Sequence, residues 1–305
     1  MKKAIVTGAT GFVGHHLVKD LVNNGYKVLA MIRPDSKNIV KLQNIANVEI
    51  VEYDLSALKD ASRKINDNYD VFFHLGWEGV SGEKQSNYDI QISNIKFSLD
   101  AMDLAYQTKC TRFIGAGSIQ EKECLIEMPK EQEAKNQGNA YKTAKLAAHF
   151  FCKLKASKLN MEFFWPLLTN TYGIGELSNR LVNNVIRQLI NGHEPALTKA
   201  DQLYDFIYIT DVARAYRYIA EKGKSYNQYV IGSGRVIPLK DYLVELKDIV
   251  KPDATLGFGR HIYSGVYMSI EDLKNENLSK DTGFKIEVPF NEGIRLTAEW
   301  HRRLK

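Results

Sequence analysis

The stretch "VTGATGFVG", Val6 to Gly14, restricts what this chain can become more than any other part of it. It ends the β-rich run "KAIVT" and opens "GFVGHHLVKDLVNNG", in which Val13, Leu17 and Leu21 recur every fourth residue and Gly25 supplies a stop signal. Glycines at the join of a strand and a helix allow a tight turn, close approach of the backbone to a pyrophosphate, and close packing of the helix on the sheet. The helix N-terminus itself favours an anion. The expected site is for a dinucleotide, with Gly8, Thr10, Gly11, Phe12, Val13 and Gly14 as contacts. A purely structural turn is the alternative, and the Thr7 and Thr10 hydroxyls serve equally well as local turn or cap groups.

The runs "KVLAMI", "VEIVE", "VFFHL", "RFIGA" and "MEFFWPL" continue an alternation of strand and helix patterns, which predicts an α/β fold with a doubly wound parallel sheet. Residues 1–168 form the expected dinucleotide-binding Rossmann domain, rejoined by about 204–222. Residues 169–203 and 223–305, richer in turn signals, form a smaller interleaved substrate lobe. With 44% hydrophobic and 25% charged residues and no apolar run of bilayer length, the chain is expected to be globular and cytoplasmic, with no membrane partner. Its formal charge of +5 is scattered, which argues against a nucleic-acid partner. The three cysteines, Cys110, Cys124 and Cys152, lack metal spacing, and His74 stands alone in an apolar strand, so no metal site is expected.

The second strand bears on cofactor choice. It ends "VLAMIRPDS", placing Ile32 and Arg33 where an acid would serve an NAD ribose; Arg33 favours the 2′-phosphate of NADP(H). In the other reading Asp35 serves the ribose and NAD(H) binds. Asp54 and Leu55, after the third strand, are placed for the adenine end, and Asp54 is equally suited to capping the next turn.

A Tyr-x-x-x-Lys pair occurs twice, at Tyr141/Lys145 and at Tyr218/Lys222. Residues four apart share a helix face, and a cation beside a phenol makes it more acidic. Taken with "TGATGFVG", "HLGW" at His74 to Trp77, Asn94, "GAGSIQE", "YKTAK", "NTYGIG" and "YDFIYITDVARA", the first pair resembles the extended short-chain dehydrogenase/reductases that act on nucleotide sugars. The closing region is similar to the 4-ketoreductases of that family. The resemblance implies a catalytic triad of Ser118, Tyr141 and Lys145, with Lys145 also holding the nicotinamide ribose. It further implies cofactor contacts from Leu75, Gly76, Trp77 and Asn94, and a homodimer formed through helices near Asn87 to Tyr106 and Ala140 to Lys158.

Ser118, Ile119, Gln120 and Asn170 are expected substrate contacts, and Arg180 and Arg260 are candidates for the substrate diphosphate, since a planar guanidinium suits phosphate oxygens. Relatives that dehydrate carry Asp and Glu directly after the serine, where this chain has Ile119 and Gln120. Other departures are "EKE" at Glu121 to Glu123 in place of Tyr-Gly, Tyr204 in place of an arginine, and the lack of an arginine before "NTYG". The implied activity is NADPH-dependent reduction of a 4-keto group on a nucleotide-linked, 6-deoxy hexose. An NAD-dependent nucleotide-sugar 4-epimerase and a non-catalytic NADP-sensing binding protein are the rivals.

Overall fold

The structure, a computed structural model, describes residues 1–65, 67–128 and 139–304. Gly138, the first residue of "GNAYKTAKLAAHFF", and Lys305, the end of the expected second lobe, lie outside the described residues. The chain divides into two compact units. The first comprises Met1–Leu168, Ala213–Val230 and Asn277–Phe284; the second comprises Thr169–Val212, Ile231–Glu276 and Lys285–Lys305.

The first unit runs β1 (Lys2–Thr7), α1 (Phe12–Asn23), β2 (Tyr26–Ile32), β3 (Val48–Glu52), β4 (Val71–His74), α2 (Tyr88–Gln107), β5 (Arg112–Gly115), β6 (Gly117–Ser118), α3 (Gln120–Glu127), α4 (Asn139–Leu159), β7 (Glu162–Phe164) and β8 (Leu167–Leu168). Six strands form one sheet in the order β3-β2-β1-β4-β5-β7, every pair parallel. Parallel strands must be joined by crossovers, and the order reverses direction between β1 and β4. That switch point opens a crevice at the carboxyl edge of the sheet, the place where open α/β sheets bind ligands. Strand register also builds the core: Phe72, Phe113 and Phe163 stand side by side on β4, β5 and β7, with ring centroids 5.6 and 6.5 Å apart. All three are buried.

The second unit has its own core. Strands Asn170–Tyr172 and Phe206–Tyr208 pair in parallel, and helices Leu181–Ile190, Leu239–Val250 and Phe290–Arg303 pack together. Tyr172, Phe206, Tyr242 and Phe290 pack edge to face and tilted, Tyr242 and Phe290 with centroids 4.6 Å apart. The segment "YDFIYI" reads as one strand but folds as two short ones, Leu203–Tyr204 and Phe206–Tyr208. Between them the buried Asp205 carboxylate accepts the N–H groups of Ser233 and Gly234, and burial lifts its pKa to about 6.

The partition differs from the sequence expectation in three places, the first being residues 223–230, which continue the first unit beyond 222. Residues 204–212 belong to the second unit, because Phe206–Tyr208 pairs with Asn170–Tyr172 rather than extending the large sheet. Residues 277–284 belong to the first unit, because Asp281 accepts hydrogen bonds from Lys224, Asn227 and Tyr229.

Candidate active site

Gly8 sits at φ +66°, and a Cβ there would lie 2.8 Å from the Gly76 nitrogen and the Leu75 carbonyl carbon. A side chain at Gly14 would come within 2.1 Å of the Gly8 oxygen. The turn therefore needs both glycines, one for its backbone conformation and one for contact. Gly11 precedes α1 with no side-chain cap, so the first N–H groups of that helix, from Phe12 and Val13 onward, point out of the turn as unsatisfied donors. A bare backbone cradle with outward donors fits a pyrophosphate, and the residues present thus suit a dinucleotide.

The floor of this crevice is a polar chain. Thr7 Oγ1 accepts the Gly76 N–H at 3.1 Å and lies 2.9 Å from His74 Nδ1, while Ser98 Oγ lies 3.2 Å from His74 Nε2. Burial drives the His74 pKa down to about 3, with the nearby Lys145 charge acting in the same direction, so the ring is neutral and structural. Asn94 accepts the Glu78 N–H and donates to the Glu78 carbonyl, at 2.9 and 2.8 Å, which commits its amide to holding the loop after β4. Leu55 covers Gly76, where a Cβ would be 2.8 Å from Leu55 Cδ2.

On α4, Tyr141 and Lys145 share one face. Lys145 is only 4% exposed; its Nζ donates to the Ala116 carbonyl at 2.7 Å and sits 3.6 Å from the centre of the Trp77 ring. Tyr141 meets the same ring edge-on, centroids 6.1 Å apart. Trp77 is held by its N–H to Gln91 Oε1, and Gln91 Nε2 in turn donates to the Gly79 and Lys84 carbonyls. Burial lowers the Lys145 pKa from 10.5 to about 7, with the Glu121 charge opposing the shift. α4 packs on β6, which carries Ser118, whose Oγ accepts the Gln120 N–H at 3.3 Å. The Tyr218/Lys222 pair has the same spacing and another fate: Lys222 is exposed, and Tyr218 packs on Phe284 amid Arg214 and Arg217.

The remaining expected residues divide by use. Arg33 is exposed beyond β2, and its charge reaches Asp54. Asp54 caps the following turn through Ser56, whose two hydrogen bonds hold its carboxyl below the usual range. Thr10 Oγ1 lies 3.2 Å from Ser36 Oγ, a buried hydroxyl in the loop after β2 that has no sequence signature. Ile119 is buried and gives its N–H to the Leu168 carbonyl. In the second unit, Asn170 donates to the Asp205 carbonyl, Arg180 pairs with Glu176, and Arg260 pairs with Glu194 at 2.7 Å. Glu121 and Gln91 were not legible as site residues, since their partners lie on distant elements. Among the described residues no cluster of three metal-ligating side chains occurs, and no helix is long and apolar enough to cross a membrane.

A doubly wound sheet with a glycine cradle at its switch point defines a Rossmann dinucleotide-binding protein. More narrowly, the chain belongs to the NAD dependent epimerase/dehydratase family, whose model matches residues 4–232, and it is an enzyme of the extended short-chain dehydrogenase/reductase type. It is 28% identical to CDP-abequose synthase of Salmonella typhimurium, over 95% of each chain. The UDP-N-acetylglucosamine 4-epimerase structure from Methanobrevibacter ruminantium superposes with a TM-score of 0.83 at 22% identity, covering 100% of this chain and 99% of that one. The NAD+ complex of WbmF from Bordetella bronchiseptica gives 0.78 at 20%, covering 99% and 93%. The fold is shared throughout.

The Lys145 environment makes a stability prediction. Between about 7 and 10.5 the unfolded chain holds a proton that the folded state has released, so this group raises stability as pH climbs through that window. Lys145→Met should therefore stabilise the ligand-free fold below about pH 7, on the order of 1–4 kcal/mol, with the gain shrinking as pH rises. Urea denaturation of both proteins across that range measures it; a pH-independent difference would count against a buried, charged lysine.

Proposed function

We propose that this enzyme uses NADPH to reduce the 4-keto group of a nucleotide-linked, 6-deoxy hexose, with Tyr141 as the proton donor. The observation that carries this reading is the pairing of Tyr141 with a buried Lys145 under Trp77, while the two positions after Ser118 hold no carboxyl. Ile119 and Gln120 cannot shuttle protons at neighbouring sugar carbons, which disfavours dehydration. Full-length similarity to CDP-abequose synthase supports a nucleotide-linked sugar as substrate.

When bound, the reduced nicotinamide supplies the hydride. The chain supplies the rest. The Tyr141 phenol gives its proton to the oxygen that becomes the hydroxyl, and the Lys145 cation beside it lowers the phenol's proton affinity. Ser118 Oγ accepts from the Gln120 N–H, which leaves its own O–H to donate to the reacting oxygen. Gly8, Gly11, Gly14 and the α1 N-terminus hold the pyrophosphate, and Arg33 holds the 2′-phosphate. Asn170 serves the sugar, and Arg180 and Arg260 exchange their glutamate partners for diphosphate oxygens. A homodimer is part of this proposal: Ile92 on α2 and Phe150, Phe151 and Leu154 on α4 are more than half exposed. Analytical sedimentation should give twice the 34.7 kDa chain mass; a monomer at micromolar concentration removes the dimer.

Tyr141→Phe should bind cofactor as the native chain does and turn over at least about a hundredfold more slowly. Unchanged turnover would remove Tyr141 as proton donor. Calorimetric titration of nucleotide-free protein should show tighter NADPH than NADH binding, and Arg33→Ala should weaken NADPH selectively. Tightly retained NAD in the purified protein would instead support the 4-epimerase, and absence of any turnover by the intact chain on nucleotide-linked sugars would support the cofactor sensor.

A further inference from the structure

The first turn of α3 carries a carboxylate that the reading above does not use. Glu121 is 2% exposed. One of its oxygens, Oε1, accepts the backbone N–H of Ser118 at 2.9 Å and the indole N–H of Trp165 at 3.0 Å. The other, Oε2, lies 3.0 Å from His149 Nδ1, the donor in the tautomer that carries its proton there. Three donors from three parts of the chain thus converge on one buried group.

The surroundings are shaped to allow it. Trp165 lies across β5 and β6 because Gly115 and Gly117 have no side chains: a Cβ at Gly115 would fall 2.1 Å from the indole, and one at Gly117 would fall 2.7 Å away. His149 stacks on that indole, centroids 5.5 Å apart and planes 15° apart, and both rings continue the aromatic row through Phe163. The "GAG" before Ser118 is the footprint of the tryptophan that fixes Glu121.

We propose that Glu121 is a positioning residue for the reaction: its carboxylate orients the Ser118 backbone and is the counter-charge that keeps Lys145 an ammonium. This inference rests on the reading that Ser118 and Lys145 take part in the chemistry. The groups facing Lys145 can be named element by element. His74 on β4 is neutral; Cys152 on α4 is a thiol, its pKa pushed up to about 12 by burial; Tyr141 on α4 is a phenol whose ring centre lies 5.8 Å from Lys145 Nζ. Lys145 Nζ bonds the Ala116 carbonyl and Glu121 Oε1 the Ser118 N–H two residues further on, so both lie against one short segment, and Glu121 is the one carboxylate among the described residues whose charge supports the cation. Among the described residues no second carboxylate offsets the charge of this desolvated ammonium, so the loss of Glu121 should let the proton leave Lys145 at lower pH.

The experiment follows the lysine itself. In ligand-free protein carrying ¹³C at lysine Cε, the Lys145 resonance, assigned by its loss in Lys145→Met, should titrate near pH 7 in the native chain. Glu121→Gln keeps an acceptor for Ser118 and Trp165 but not the charge, and should move that midpoint down by about one unit or more, a tenfold change in proton affinity. Its kcat should fall at neutral pH and recover partly under mildly acidic conditions. Glu121→Asp should keep the native midpoint. An unmoved midpoint in Glu121→Gln, or equal shifts in both variants, overturns the counter-charge role. The midpoint is read without substrate, so failure of Tyr141 as proton donor would leave this result standing, and failure here would leave the Tyr141 result standing.

Discussion

An ammonium group taken out of water loses its hydration, and the cost is several kcal/mol unless the protein replaces what was lost. Lys145 is in that position, and much of the first unit is arranged around it. The Ala116 carbonyl replaces one water, and the face of Trp77 offers the ring quadrupole at 3.6 Å. Each replacement makes its own demand. Trp77 stays in place only while Gln91 holds its N–H, and Gln91 is tied to the carbonyls of Gly79 and Lys84 in the same loop. The loop after β4 is therefore ordered by what the lysine needs, and Asn94 reinforces it from α2.

The same loop closes the cofactor cradle from the other side. Gly76 lies close enough to the Gly8 turn that a Cβ at Gly8 would meet its nitrogen, and Thr7 bonds the Gly76 N–H. The glycine turn and Lys145 thus both lean on one short segment, residues 75 to 79. The sheet order makes this compact: β1 and β4 are neighbours at the switch point, so their carboxyl ends and loops must meet.

What could be read from sequence follows from how local each feature is. The glycine turn was legible because its demands are steric and fall on neighbouring residues; the six-strand alternation was legible because period and turn signals repeat. Tyr-x-x-x-Lys was legible as a helix face, but spacing alone could not tell Lys145 from Lys222, since burial is decided by Trp77, which lies far away in sequence. Glu121 read only as a departure from the family's Tyr-Gly. Its partners Trp165 and His149 lie on β7's exit and on α4, and nothing near Glu121 announces them. The unit boundary failed for the same reason: Asp281 returns 277–284 to the first unit through side-chain bonds that leave no periodic trace.

These placements narrow the chemistry open to the site. A carboxyl can remove a proton from a sugar carbon only if it can reach that carbon, and Glu121 is buried, with Oε1 accepting from Ser118 and Trp165 and Oε2 against His149. Glu123, the next acid along α3, is held by Lys142 instead. With Ile119 and Gln120 in the two positions after Ser118, no ionised acid next to the serine remains available as a base. On the proposed reading, proton transfer is then confined to the Tyr141 oxygen, which addresses a carbonyl or hydroxyl and leaves the adjoining carbon–hydrogen bonds alone. On that reading the site interconverts C=O and CH–OH, and the departure at "EKE" belongs to the proposed restriction, because the Glu121 carboxylate faces the Ser118 N–H and Trp165 inside the unit.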